Sequence, residues 1–411
     1  MMTRREFCSA AGAASLVQGK AVPRRPNVIL ILTDDQGYGD LACHGNPVIR
    51  TPHLDRLYAQ SIRLTNFHSD PLCSPTRAAL MTGRYSARTG VWATVLGRSL
   101  LRRNEVTMAD VFAANGYRTG IFGKWHLGDN YPFRPQERGF QEVLVHGGGG
   151  VSQTPDAWGN SYFNDTYLRN GKPEKFQGYC TDVWFENAIR FIEANRDRSF
   201  FLYLPTNAPH SPFRVEEKYS RPYREAGLTP QRAAFYGMIT NIDENVGRLR
   251  QKLDDLGITG NTLLVFMTDN GSGGGFPQKP TEKFGGFNAG MRAVKGSGYD
   301  GGHRVPCFLH WPEGGLRGGR DIPRLTAHFD LLPTFIDLLG LDTTRAVKRK
   351  PMDGKSLAPL FRQDSEWKER TLVVQTQQRE TPEKWTQSAV MTQQWRLVGG
   401  QELYDMTADP G

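Results

Sequence analysis

The sequence predicts an α/β fold: a large parallel-rich sheet sandwiched by helices, followed by a small C-terminal antiparallel subdomain. Three observations carry this prediction. Short continuous apolar runs recur and each stops at a polar cluster, helix-like stretches separate them, and beyond residue 345 the pattern changes to short alternating segments. Apolar strands without alternation are buried on both faces, as in a parallel sheet between two helical layers.

The elements follow in order. Residues 1–21 read as an export leader, because Thr3-Arg4-Arg5-Glu6-Phe7 precedes a weakly apolar run over 8–17 in the manner of a twin-arginine signal. The main α/β domain is expected over 22–345. Its first strand covers 28–32 ("VILIL") and closes on Asp34 and Asp35. Helices are expected over 51–60 and 107–115, and the short strand in "YRTGIFGKWHLG" closes on Lys124 and His126. A helix over 181–195 leads to a strand over 200–204 that closes near His210. A long helix over 230–256 then leads to a strand over 263–267 that closes on Asp269 and Asn270. The segment 321–340, with "AHFDLLPTFIDLLG", reads as a late helix. The C-terminal subdomain is expected over 346–411, where "TLVVQTQQ", "KWTQSAVMTQQWRLVGG" and "ELYDM" suit an antiparallel sheet. Its ending at Ala408-Asp409-Pro410-Gly411 reads as a truncation. Ligands of open α/β sheets sit beyond the carboxyl ends of the strands, so all four polar clusters are expected to face one crevice.

Composition narrows the function classes. The chain has 411 residues, 45 of them glycine, and a formal net charge of +9. That surplus favours anionic substrates, yet it forms no dense Lys/Arg run of the kind that marks nucleic-acid binding. No apolar stretch after the N-terminus approaches the roughly 18 residues that span a bilayer, so a soluble mature protein is expected. Only Cys43, Cys73, Cys180 and Cys307 follow the leader, too sparse for a disulfide framework.

The polar clusters carry the chemistry. Asp34, Asp35, Asp269 and Asn270 are hard oxygen donors from two strand ends, a set suited to Ca²⁺, which takes six to eight oxygens in irregular geometry. Helix capping and Asx turns are the alternative for either pair alone. Zinc is disfavoured, because neither H-E-x-x-H nor paired C-x-x-C is present. Lys124, His126, His210 and Lys295 are cations and proton carriers suited to a tetrahedral anion. Together these point to hydrolysis of a sulfate or phosphate ester. Competing motifs fail: Gly296-Ser297-Gly298-Tyr299-Asp300-Gly301 fits G-x-G-x-x-G but follows no apolar strand, and "HRVPCFLHW" after it reads as strand. Walker A and G-x-S-x-G are absent, and a cysteine phosphatase would need arginine where Ala79 stands.

"LCSPTRAALMTGR", residues 72–84, resembles the sulfatase signature C-x-P-x-R with its small-residue helix and T-G-R. "NVILILTDDQGYGDL", "GKWHLG", "NAPHSPF", "TDNGS" and "KGSGYDGGHRVP" are similar to the other family blocks, in the family's order over residues 26 to about 340, and "WRLVGGQELYDMTADPG" resembles the tail. The resemblance implies that a formylglycine-generating or sulfatase-maturing enzyme oxidises Cys73 to formylglycine. It further implies that Asp34, Asp35, Asp269 and Asn270 hold Ca²⁺ with an oxygen of residue 73, and that Arg77 orients the aldehyde hydrate. Lys124 would bind hydrate and sulfate, His126 would act as base, and His210 and Lys295 would bind sulfate and protonate the leaving oxygen. Two departures stand out. Asp300 takes a place where the family often has glutamate, and the family's serine or histidine on the loop over 147–153 has only Ser152 as a candidate.

The implied substrate is a sulfated carbohydrate or aryl sulfate met in the periplasm or outside the cell. Loops over 147–175 and 273–292 are expected to set specificity, with Trp158, Tyr162, Phe276 and Phe287 either stacking on rings or packing the loops. The rivals are a phosphate or phosphonate ester hydrolase on the same fold and a silent binding protein for sulfated glycans.

Overall fold

The computed structural model describes residues 25–274, 286–345, 350–362 and 367–409. The expected leader and Phe276 lie outside the described residues. At the centre of a ten-stranded sheet, five strands run parallel in the order Thr262–Thr268, Asn27–Thr33, Phe200–Pro205, Arg118–Lys124 and Glu142–His146. The register sets Leu32 beside Met267 and Thr33 beside Thr268, so the acidic residues that follow each strand emerge side by side.

The Asn27–Thr33 strand shows how the layers form. Val28, Leu30 and Leu32 pack with Leu80, Phe112 and Phe335 on one face, while Ile29 and Ile31 pack with Leu54, Trp184 and Ile242 on the other. Successive side chains of a strand point to opposite faces, so an unbroken apolar run feeds both cores. The helices Pro52–Gln60, Cys180–Ala194 and Pro230–Asp255 cover the second face. Cys73–Thr82, Met108–Ala114 and Leu331–Leu339 cover the first.

The sheet is mixed outside its centre. Cys307–His310 and Ile62–Leu64 extend one side antiparallel, with Arg320–Ile322 parallel at the edge, and the hairpin Thr166–Arg169 and Lys172–Lys175 extends the other. The late segment is correspondingly only half helical. Arg320–Ile322 and Thr326–Ala327 are strands, and the helix begins at Leu331. Pro323 accounts for the extended start, since the residue before a proline is driven out of helical conformation. Leu372–Gln375, Ser388–Met391, Trp395–Val398 and Glu402–Asp405 form a separate four-stranded antiparallel sheet. The four described cysteines are unbridged, and among the described residues no helix is long and apolar enough to cross a membrane.

Candidate active site

Cys73 opens the Cys73–Thr82 helix, all ten of whose residues are buried, and no side chain caps that N-terminus. The first backbone N–H groups of such a helix have no intrahelical partner and favour an anion. Two hydroxyls fix the helix in place. Ser74 Oγ donates to the His126 carbonyl at 3.0 Å, and Thr76 Oγ donates to the carbonyls of Asp70 at 2.9 Å and Asp269 at 2.8 Å. The C-x-P-x-R pattern does not single out Thr76, whose only sequence signal is a hydroxyl three residues after the cysteine.

The two acidic strand ends converge on the cysteine. Cys73 Sγ lies 3.3 Å from Asp34 Oδ1 and 3.9 Å from Asp35 Oδ1. The backbone N–H of Asp35 donates to Asp269 Oδ1 at 3.0 Å, and Asn270 Nδ2 donates to Asp35 Oδ1 at 2.9 Å. One carboxylate oxygen from each of Asp34, Asp35 and Asp269 lies within 4.8 Å of the others. Asp35 has φ 65°, a left-handed conformation that aspartate tolerates better than most residues.

Cations surround these carboxylates. Lys124 Nζ is 2.5 Å from Asp34 Oδ2, Lys295 Nζ is 2.6 Å from Asp35, and Arg77 Nη2 is 2.9 Å from Asp269 Oδ2. The other arm of the buried Arg77 guanidinium donates to the Lys124 carbonyl at 2.9 Å. Lys124 reaches this position beside Gly123, where φ is 132° and a Cβ would stand 1.9 Å from the Pro205 carbonyl oxygen. No other residue fits there.

Burial would raise the Asp35 acid, but Lys295, His210 and Lys124 outweigh it and hold the group well below the usual carboxylate range. Burial lifts Asp269 instead, helped by the Asp34 charge. Burial, with the Asp34 carboxylate beside it, also pushes the Cys73 thiol up, so an unmodified Cys73 keeps its proton. His210 Nε2 is 3.7 Å from Asp35 Oδ2, and its Nδ1 donates to the Ser211 carbonyl at 2.6 Å. Burial lowers His210 to about 4. Burial, reinforced by Lys124 and Arg77, drives His126 well below its ordinary value, and its buried Nδ1 has no hydrogen-bond partner among the described residues.

The loop residue that meets His126 is Gly149, whose Cβ, if present, would stand 2.7 Å from Nε2. Ser152 is exposed, with its backbone N–H on Asp156. Of the aromatic candidates, Trp158 is fully exposed and Phe287 half-buried, whereas Tyr162 is buried and donates its hydroxyl to the His210 carbonyl. Tyr162 therefore supports His210 from behind and offers no ring to a substrate.

A parallel-centred sheet whose strand ends gather three carboxylates, an amide, two lysines and two histidines around one uncapped helix belongs to a hydrolase of tetrahedral oxyanion esters. The sulfatase family model matches residues 26–341, and the chain belongs to that family; it is a sulfuric ester hydrolase. The chain is 34% identical to human (Homo sapiens) arylsulfatase A over 371 residues, which cover 84% of this chain and 70% of that one. It is 32% identical to N-acetylgalactosamine-6-sulfatase of Canis lupus familiaris, covering 85% and 68% respectively. The crystal structure of Ps i-CgsB in complex with k-i-k-neocarrahexaose superposes with a TM-score of 0.81 at 28% identity, covering 94% of this chain and 88% of that one.

Proposed function

We propose that the Cys73 pocket hydrolyses sulfate esters of carbohydrates through a formylglycine hydrate at residue 73 and a bound Ca²⁺. The observation that carries this reading is that the Asp34–Asp35 strand end stands against Cys73 Sγ and is hydrogen-bonded to the Asp269–Asn270 strand end, within a ring of Lys124, Lys295 and Arg77. Asp34, Asp35, Asp269 and Asn270 would hold the ion. The donor set fits, because all four are hard oxygen ligands and Asn270 Oδ1 is buried with no hydrogen-bond partner among the described residues. When bound, Ca²⁺ supplies Lewis-acid polarisation of the sulfate.

Formylglycine answers what the thiol cannot do. A thiol that attacked sulfur would be left as a stable sulfated thiol, whereas an aldehyde hydrate has two hydroxyls. One of these oxygens would attack sulfur, its proton passing to the Asp34 carboxylate that stands 3.3 Å from the residue-73 side chain, as the S–O bond to the alcohol breaks. The departing oxygen would take a proton from the Lys295 ammonium, because His210, lowered to about 4, stands neutral beside Asp35. His126, neutral through burial, then accepts the proton of the second hydroxyl, the carbonyl reforms, and sulfate leaves. Water restores the hydrate. Lys124 and Lys295 hold the sulfate oxygens, and Arg77 fixes Asp269 and the Lys124 backbone.

A sugar sulfate is favoured as substrate because the structural relative at 28% identity holds a neocarrahexaose. A formylglycine-generating partner would mature Cys73, and the reading of residues 1–21 as a twin-arginine-like leader supports a periplasmic or extracellular working place. The test pairs two measurements. Mass spectrometry of the peptide spanning residue 73 from active protein should show an aldehyde, lighter than the thiol, and turnover should favour an aryl sulfate over the matching aryl phosphate. Cys73→Ala should abolish sulfate release with the fold retained. An intact thiol in active protein, or preference for the phosphate, overturns the proposal.

A further inference from the structure

The stretch that fails as a dinucleotide loop, "GSGYDGGH", ends in a second cluster behind the Lys295 loop. His303 closes the helical turn Asp300–His303, His68 lies in the strand Phe67–His68, and both are buried. Their Nδ1 atoms face each other at 2.9 Å across 235 residues of sequence. The other nitrogen of each ring is a donor. His303 Nε2 lies 3.1 Å from the Gly298 carbonyl, which only accepts. His68 Nε2 lies 2.7 Å from Asn66 Oδ1, and because Arg396 Nη2 also donates to that atom at 3.2 Å, it is the amide oxygen; Arg396 Nη2 stands 3.4 Å from His68 Nε2 as well, and the much shorter contact to Asn66 sets that nitrogen as the donor. In neutral rings both Nδ1 atoms therefore carry lone pairs, which repel at this distance unless a positive species lies between them.

Asp300 completes the arrangement. It is 8% exposed, its Oδ1 accepts from Arg396 Nε at 3.0 Å, and its Oδ2 is buried with no hydrogen-bond partner among the described residues. A carboxylate oxygen of Asp300 and a nitrogen of each histidine lie within 4.8 Å of one another. A proton shared by the rings would satisfy the two nitrogens and leave Asp300 Oδ2 buried and unpaired, which is costly. A metal ion satisfies all three atoms.

We propose that His68, His303 and Asp300 form a second metal site, separate from the Cys73 pocket, for a borderline divalent ion of the Zn²⁺ type. Two imidazoles and a carboxylate suit such an ion, with a fourth position left for water. The Gly298 carbonyl and Asn66 amide already hold each ring by its far N–H, the outer-shell pattern of ligating histidines. Asp300 and Arg396 also line a surface pocket with Tyr299, Arg292 and Tyr404. An ion here would pin the 295–303 loop, and with it Lys295, to the strand that precedes Cys73.

Zinc content is the direct measurement. The full chain carrying Cys73→Ser, so that the thiol beside the carboxylate cluster does not compete, is dialysed against Zn²⁺ in excess Ca²⁺ and analysed by mass spectrometry of the metal. One equivalent of zinc is expected. Adding His303→Gln should remove it, and adding Asp300→Asn should weaken it by about tenfold or more. Should His303→Gln not fold, Co²⁺ titrated into the Cys73→Ser chain decides instead, with visible ligand-field bands of a tetrahedral site expected. Absence of zinc, zinc undiminished by His303→Gln, or Co²⁺ without those bands overturns the proposal, the first leaving a proton shared by the two rings.

Discussion

Asp243 shows at the residue scale what burial does to a carboxylate away from the active site. Its side chain accepts from the backbone N–H groups of Leu54 at 2.7 Å and His53 at 3.2 Å, at the start of the Pro52–Gln60 helix. Burial outweighs those two donors and lifts its pKa from 3.8 to about 7. The folded chain then keeps a proton that the unfolded chain releases, so the unfolded state binds fewer protons and this contribution to stability falls as pH rises. Unfolding followed by denaturant should show stability declining between pH 4 and 7 on account of this group, and Asp243→Asn should flatten that slope. The active-site carboxylates divide in opposite senses from the same cause. Lys295 and His210 hold Asp35 down against burial, whereas Asp269 stands close to Asp34 and rises. Residue identity revealed each acid, but a carboxylate's neighbours set its charge, and those neighbours come from distant parts of the chain.

At the element scale, capping separates the Met108–Ala114 helix from the one that Cys73 opens. Thr107 Oγ1 accepts from the Asp110 N–H at 3.1 Å while Asp110 Oδ2 accepts from the Thr107 N–H at 2.8 Å, closing a capping box on Met108–Ala114. Thr107→Ala should cost about 1 kcal/mol in denaturant unfolding, with sulfate turnover unchanged. The N-cap residue of the Cys73–Thr82 helix, Leu72, offers no such side-chain cap, and the N–H groups of Cys73 and Ser74 point to the end that favours an anion. Apolar runs over 28–32, 200–204 and 263–267 were legible as buried strands, because continuous hydrophobicity requires two covered faces. Ile62–Leu64 and Thr166–Arg169 were not, since strands of three and four residues carry too little pattern to separate them from loop. The stretch over 321–340 misled because its apolar composition suits helix throughout, while pairing of Thr326–Ala327 with Phe67–His68 holds its first part extended.

At the scale of the whole molecule, the sheet register brings Asp34 and Asp35 to Asp269 and Asn270 across more than half of the chain. Bound Ca²⁺ would therefore cross-link two strand ends. Chelation should lower the melting temperature together with activity, and added Ca²⁺ should restore both, whereas loss of activity with no thermal shift would place the ion elsewhere. The small antiparallel sheet joins the same frame, since Arg396 reaches Asp300 at 3.0 Å and the Arg370 guanidinium pairs with the buried Asp330 at 2.7 Å. By itself the sequence determined the layer architecture and the family blocks, because hydrophobic runs, turn residues and contiguous motifs are local properties of a chain. Tertiary structure alone decided which cation meets which carboxylate, that Gly149 stands against His126, that Tyr162 is buried, and that His68 faces His303. Those pairings depend on register and packing between segments up to hundreds of residues apart, and no local pattern encodes them.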